Sequence, residues 1–85
     1  MWTASGALLA PARFGASLRA IRLELGLTQK QLAEQLDVPR SYVRKYEAGE
    51  WRLDLVELEA VAGALGVALT TIVWRFESKL DEGRA

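Results

Sequence analysis

Four polar side chains between residues 40 and 45 are spaced to share one helical face: Arg40, Ser41, Arg44 and Lys45. On a helix, positions three and four apart are neighbours, so this face lies opposite Val43 and Tyr46. An arginine fork donates two parallel hydrogen bonds to a planar pair of acceptors, and serine and lysine bind single acceptors. Such a face suits a hydrogen-bonding or anionic partner, although the same residues also occur on helix faces that only meet solvent.

The residue types that the chain lacks exclude most catalytic chemistry. It has no Cys and no His, which excludes disulfides, Cys-rich zinc sites, Cys nucleophiles and His-based catalytic triads. Ser and Lys both occur, but not in a phosphate loop or in a pattern that pairs a nucleophile with a base. We therefore expect neither an enzyme, nor a metal site, nor a bound cofactor.

Length and composition indicate one small helical domain. The chain has 85 residues, 51% of them apolar and only two of them Pro, which is typical of a globular helical protein. The opening MWTASGALLAPA has no basic segment and only a short apolar run, so it predicts neither an export signal nor a membrane span. We expect a cytoplasmic protein with a flexible N-terminal arm over 1–11, a domain over 12–80 and a short tail over 81–85.

The charges balance in number but not in position. Eleven basic and eleven acidic residues give a net charge of zero, which argues mildly against a nucleic-acid partner. Residues 11–23 and 38–46, however, contain basic side chains and no acid, whereas acids outnumber bases over residues 53–85. The chain therefore has a basic half and an acidic half.

An apolar stripe predicts the first helix. Phe14, Leu18, Ile21 and Leu25 recur at the spacing of an amphipathic helix. Gly26 follows the last of them, and glycine commonly ends a helix because it adopts the left-handed conformation. We therefore expect a first helix that ends near residue 25 with this stripe facing the core.

A capping box begins the second helix, and a short turn separates it from the third. The Thr28 hydroxyl can accept the amide hydrogen bond of Gln31, whose side chain reaches back to the Thr28 amide. Asp37 tolerates the left-handed conformation of a tight turn, and Pro39 suits the start of a new helix. The third helix is expected over 40–47.

The same signals predict two further helices. Asp54 and Glu57 repeat the capping box, and Gly66 ends the fourth helix. Gly63 lies inside that helix, where glycine is unfavourable, so we expect close backbone packing there. A fifth helix begins near Ala68 and carries one apolar stripe: Leu69, Ile72, Val73, Phe76 and Leu80. The expected architecture is a compact all-α domain of five helices.

The segment GLTQKQLAEQLDVPRSYVRKYEAGE resembles the lambda-repressor-like helix-turn-helix family, also called the XRE or Cro type. The resemblance extends over residues 12–76. It rests on an ordered set of features: Leu27-Thr28-Gln29, Leu32-Ala33, Val38, Val43, Glu47-Ala48-Gly49-Glu50 and Leu58…Ala62…Leu65-Gly66-Val67. The chain departs from the family at Asp37, where Gly is usual, and at Pro39, where Ser or Thr is usual. The resemblance implies a helix-turn-helix at the second and third helices.

The resemblance also implies roles on double-stranded DNA. The third helix would lie in the major groove and read base edges with Arg40, Ser41, Arg44 and Lys45. Four residues would contact the DNA backbone: Gln29, Tyr42, Arg52 and Arg13. For Gln29 the alternative is a plain surface residue in the cap, and for Tyr42 it is a side chain that covers the turn. Arg22 and Glu47 would form a structural ion pair that joins the first helix to the third.

The resemblance implies a sequence-specific transcriptional regulator that represses and binds DNA as a homodimer. One third helix reads only a few base pairs, so a two-fold dimer would double the contacts. The fifth helix offers Val73, Trp74 and Leu80 as the dimer interface, unless Trp74 instead caps the domain's own core. Two other functions stay open. One is an antitoxin that binds operator DNA and a toxin, and the other is a protein-interaction module that has lost DNA binding.

Overall fold

The computed structural model describes the backbone of residues 4–82 and the side chains of residues 12–78. Over this range the chain forms five α-helices and no strand, so the predicted all-α class is confirmed: α1 (Ala4–Glu24), α2 (Gln29–Leu36), α3 (Arg40–Glu47), α4 (Leu55–Leu65) and α5 (Leu69–Glu82). The α2–α3 pair packs together, α1 packs against α3 and α5, and α4 packs against α2 and α5. None of these five helices is by itself long and apolar enough to cross a membrane.

Side-chain caps begin α2 and α4, as predicted. The Gln31 amide donates to the Thr28 hydroxyl over 3.0 Å, and the Thr28 amide donates to Gln31 Oε1 over 2.9 Å. Asp54 and Glu57 form the second capping box, with distances of 2.7 and 3.0 Å. At α3 the preceding Pro39 has a φ of −63°, and none of the described side chains caps this helix. The eight-residue α3 therefore depends mainly on tertiary contacts, since isolated helices of this length are unstable.

One turn motif, the Schellman motif, ends α1, α2, α3 and α4. In each turn one residue has a left-handed φ between 57° and 79°: Gly26, Asp37, Gly49 and Gly66. The next residue donates its amide hydrogen to the carbonyl five positions earlier, over 2.9 to 3.1 Å. After α1, α2 and α4 this next residue is apolar and packs against the core: Leu27, Val38 and Val67. After α3 it is Glu50, which is charged and exposed.

The core is built from all five helices. Among the side chains of residues 12–78, the buried apolar ones are Leu18, Ile21, Leu32, Ala33, Val43, Tyr46, Leu58, Val61, Ala62, Leu65 and Ile72. Phe14 and Phe76 meet edge to face with ring centroids 5.0 Å apart, which packs α1 against α5. One prediction from the apolar stripes was wrong, since Leu25 is exposed because α1 ends before it. Val73, which lies on the α5 stripe and was placed in a dimer interface, is exposed as well.

The first helix is longer than its apolar stripe. The stripe begins at Phe14, but α1 begins at Ala4, so the backbone of residues 4–11 is helical where an arm was predicted. An arm was predicted because Gly6 and Pro11 are unfavourable inside a helix. The α5 helix likewise continues to Glu82. The division into an arm over 1–11 and a tail over 81–85 stays a prediction.

The glycine at which two helices meet closely is Gly15, and the prediction of close packing at Gly63 was wrong. A Cβ atom at Gly15 would overlap the backbone carbonyl oxygens of Tyr46 and Glu47, so α1 passes directly against the end of α3. Gly63 is exposed, and apart from its chain neighbours and the adjacent backbone of α4, no atom of the described residues would lie within 4 Å of a Cβ at this position. Gly63 therefore faces open space on the surface of α4 and does not pack closely against another helix.

The two glycines give a matched pair of alanine substitutions. We expect Gly15→Ala to destabilise the fold by roughly 1–3 kcal/mol, because the added methyl group forces α1 away from α3. Gly63→Ala should stabilise it by up to about 1 kcal/mol, because alanine is the better helix former and finds open space. Urea unfolding followed by circular dichroism measures both changes. A Gly15→Ala protein as stable as the parent would show that α1 and α3 do not need this contact.

Candidate nucleic-acid interface

The outer face of α3 is a continuous polar surface. It carries the four residues whose spacing predicted a shared face, and all four are exposed: Arg40, Ser41, Arg44 and Lys45. The opposite face is anchored by Val43 and Tyr46, which are 0% and 2% exposed. Burial of these two apolar side chains orients the helix, so the four polar side chains point to solvent together.

A buried ion pair joins α1 to the end of α3. Arg22 Nε donates to Glu47 Oε2 over 2.7 Å, and Arg22 Nη2 donates to Glu47 Oε1 over 3.0 Å. Both side chains are almost fully buried. Arg22 Nη1 also donates to the Leu27 carbonyl oxygen over 2.8 Å. The hydrogen bonds to Glu47 raise the pKa of Arg22 above its already high value, so this guanidinium is charged at any physiological pH.

Gln29 connects this ion pair to the exposed face. Its Nε2 donates to Glu47 Oε1 over 3.1 Å, and its Oε1 accepts a long hydrogen bond from Arg40 Nε at 3.4 Å. An ionised carboxylate only accepts hydrogen bonds, so the amide group of Gln29 must turn its nitrogen to Glu47 and its oxygen to Arg40. The sequence predicted either a phosphate contact or a plain surface residue for Gln29, and its spacing did not reveal this bridge.

Arg44 is held by an acid of the following turn. Its Nη1 lies 3.4 Å from Glu50 Oε2, and both side chains are about half exposed. The two residues are six positions apart, a separation that no helical spacing rule pairs. The tight turn after α3 brings them together, which is why the sequence pattern did not reveal the contact.

Tyr42 closes the gap between α3 and α4. Its hydroxyl donates to Glu57 Oε2 over 2.7 Å, and its ring lies 5.8 Å from that of Tyr46 and 6.5 Å from that of Trp51. Burial, followed by this hydrogen bond, raises the pKa of Tyr42 to about 12. The Asp54 amide and then the Tyr42 hydroxyl lower the pKa of Glu57. These contacts favour the alternative in which Tyr42 covers the turn.

A basic cleft lies beside the α3 surface. The cleft has a volume of 740 Å³, and its lining includes Arg19, Arg22, Lys30 and Arg40. No acidic side chain is among the described residues that line it. Arg22 is neutralised by Glu47, which leaves three basic side chains to attract an anion.

The two other predicted backbone contacts are exposed arginines. Arg52 follows Trp51 in the segment between α3 and α4, and Arg13 lies near the middle of α1. The residue before Arg13 is Ala12, whose backbone lies close to Gly49 at the end of α3. The chain therefore places Arg13 and Arg52 in the region of the α3 C-terminus.

Two short helices joined by a tight turn, with the second exposing a basic face, define a helix-turn-helix domain. The comparison with protein families agrees. A family profile described as Helix-turn-helix matches residues 18–72, which is more than half of the chain. The chain belongs to this family, as the resemblance predicted.

The chain is also similar to individual proteins that are named as regulators. The immunity repressor protein of Bacillus phage phi105 is 48% identical over 59 residues, which are 69% of this chain and 41% of the repressor. The chain thus spans about two fifths of that relative's length. Control protein C.MunI of Mycoplasma sp is 36% identical over 61 residues, 71% of this chain and 82% of that protein. The restriction-modification controller protein C.Esp1396I, a tetramer in complex with its natural 35 base-pair operator, superposes with a TM-score of 0.75 at 25% identity and covers 81% of this chain and 91% of its own.

The buried and exposed ion pairs provide a direct comparison. Glu47→Gln leaves the buried Arg22 guanidinium without a counter-charge, so we expect a loss of roughly 3 kcal/mol of unfolding free energy. The control is Arg75→Gln, which breaks the exposed pair between Arg75 Nη1 and Glu24 Oε1 at 2.8 Å and should cost about 1 kcal/mol or less. Urea unfolding at neutral pH measures both. Equal losses would mean that the buried pair does not hold α3 in place.

Proposed function

We propose that this chain is a sequence-specific DNA-binding transcriptional regulator that represses by occupying its operator. The observation that carries the proposal is the exposed face of α3, where Arg40 and Arg44 lie one helical turn apart on a helix fixed by a buried ion pair. Arginine forks at this spacing suit the O6 and N7 acceptors of guanine in the major groove. The similarity to a phage immunity repressor and to a control protein supports regulation of transcription.

The proposed contacts fall into two groups. Arg40, Ser41, Arg44 and Lys45 read base edges, while Gln29, Arg13 and Arg52 contact the backbone, with the cleft beside α3 adding basic charge for phosphates. Tyr42 belongs to the backbone group only through its ring, since its hydroxyl is bound to Glu57. A binding surface of this kind needs no catalytic group, so we propose a non-enzymatic protein. We propose the cytoplasm as its compartment, where such a regulator would meet its DNA.

One experiment tests this function against the interaction module that has lost DNA binding. Selection of bound duplexes from a random DNA pool, followed by gel-shift titration of the winner, should yield one preferred sequence. A protein that binds no duplex in this assay would be an interaction module on the same fold. Regulation by an antitoxin would require a toxin partner, and no contact described above calls for one.

Substitutions separate base reading from backbone contact. We expect Arg40→Ala and Arg44→Ala each to lose about 1–3 kcal/mol of discrimination between the preferred duplex and a scrambled one. Arg52→Ala should instead lower the affinity for both duplexes by a similar factor. It should also reduce the steepness of log affinity against log salt concentration by roughly 0.9. Fluorescence anisotropy titrations over a salt series measure these quantities. If both α3 variants keep the parent's preference, α3 does not read the bases.

We propose further that the protein binds as a homodimer through α5. Trp74 is 68% exposed and Val73 is 38% exposed on the same stretch of α5. The Leu80 side chain, the third member of the predicted interface, lies outside the described residues. A large exposed aromatic side chain next to an apolar one is typical of a surface that meets a partner. The similar controller protein forms a tetramer on its operator.

Substitution of two exposed tryptophans, Trp74 and Trp51, tests the interface. We expect Trp74→Ala to weaken self-association in sedimentation equilibrium and to lower affinity for a pseudo-palindromic operator, whose half-sites lie about 34 Å apart. Trp51→Ala, which truncates a 50% exposed tryptophan next to α3, should leave self-association unchanged. Operator DNA that takes up a single protomer at saturation would contradict the dimer. Unchanged association of Trp74→Ala would contradict only this interface.

A further inference from the structure

Glu50 departs from the residue pattern found at the ends of α1, α2 and α4. The position after the left-handed residue is apolar and packs on the core after α1, α2 and α4, as Leu27, Val38 and Val67 show. An apolar residue there normally stabilises the turn through its contact with the preceding helix. At the end of α3 the position holds an exposed carboxylate instead. Local departures from a stabilising pattern tend to mark function.

Two backbone contacts fix the position of the Glu50 backbone. The Glu50 amide donates to the Lys45 carbonyl oxygen over 2.9 Å, and the preceding Gly49 has a φ of 79°. Gly49 also lies against the backbone of Ala12, which leaves the turn little freedom to move. The backbone of Glu50 is therefore set by the fold at a point from which its side chain reaches Arg44.

The contact engages one part of the Arg44 guanidinium and leaves the other part free. Arg44 Nη1 lies 3.4 Å from Glu50 Oε2, and within residues 12–78 each of these two side chains has the other as its single side-chain partner. A guanidinium carries five N–H donors in a rigid fork. Occupation of Nη1 leaves the edge formed by Nε and Nη2 available, and that edge donates two parallel hydrogen bonds.

We propose that Glu50 is a positioning residue that sets sequence specificity by orienting Arg44. This proposal rests on the proposed DNA-binding function. Held by Glu50, Arg44 presents its free edge to the two acceptors of a guanine and is kept away from the phosphates, which the Glu50 charge also repels. Pre-orientation lowers the entropic cost of the base contact, while the loss of a phosphate contact weakens binding to every sequence. The acid thus favours the correct site over random DNA.

The test compares two duplexes and five variants of the full chain, of which one is a double variant. The duplexes are the operator selected by the wild-type protein and a scrambled duplex of the same composition. We expect Glu50→Gln to bind the scrambled duplex about two- to five-fold more tightly, a change typical of a surface ion pair, without a matching gain on the operator. The ratio of the two affinities therefore falls. Glu50→Ala should behave in the same way.

Two controls isolate the role of Arg44. Glu59→Gln removes one negative charge from an exposed position on α4 and should change both affinities by the same factor. In an Arg44→Ala background, Glu50→Gln should leave the affinity ratio unchanged, because its target is absent. Circular dichroism measures whether each variant is folded. We expect both variants of Glu50 to fold, because Gln and Ala keep the backbone amide that donates to the Lys45 carbonyl oxygen.

The possible outcomes are distinct. A Glu50→Gln protein that gains the same factor on both duplexes would overturn the proposal, and Glu50 would then act only as a charge. A change of ratio that persists in the Arg44→Ala background would also overturn it, because Glu50 would then contact a base itself. A wild-type protein that binds both duplexes equally would overturn the proposed function and this proposal together.

Discussion

The ion pair between Arg22 and Glu47 is the interaction on which the α3 surface depends. The two oxygens of Glu47 accept hydrogen bonds from two nitrogens of Arg22 and one of Gln29, so α1, α2 and α3 meet at one carboxylate. Buried charges of this kind are tolerated only when each is paired and hydrogen-bonded. Because α3 is short and lacks a side-chain cap among the described residues, this tertiary contact fixes its orientation.

The ion pair in turn requires that α1 approach α3 closely. Gly15 removes the side chain that would collide with the carbonyl oxygens at the end of α3, and Gly49 does the same against the backbone of Ala12. Arg22 lies seven positions after Gly15, which places both on the same face of α1. The close passage at Gly15 therefore directs the Arg22 side chain to Glu47, and backbone packing and charge pairing depend on one another.

The zero net charge of the chain conceals an ordered distribution of its acids. Three acids near the α3 surface are engaged: Glu47 with Arg22, Glu50 with Arg44, and Glu57 with Tyr42. Net charge governs nonspecific attraction, whereas the local field depends on which charges are compensated and in what geometry. A neutral protein with a directed basic face gains little affinity for arbitrary DNA, so its specificity rests on individual hydrogen bonds.

The sequence alone determined the features that involve residues three to five positions apart, namely the two capping boxes, the turn at Asp37, the helix end at Gly66 and the shared face of the four α3 residues. Such contacts follow from helix and turn geometry, so spacing reveals them. The tertiary structure decided the extent of α1, the close contact at Gly15 instead of Gly63, the Gln29 bridge and the Arg44–Glu50 pair. These depend on the distance between helices or on the path of a turn, and neither has a period that a sequence can display.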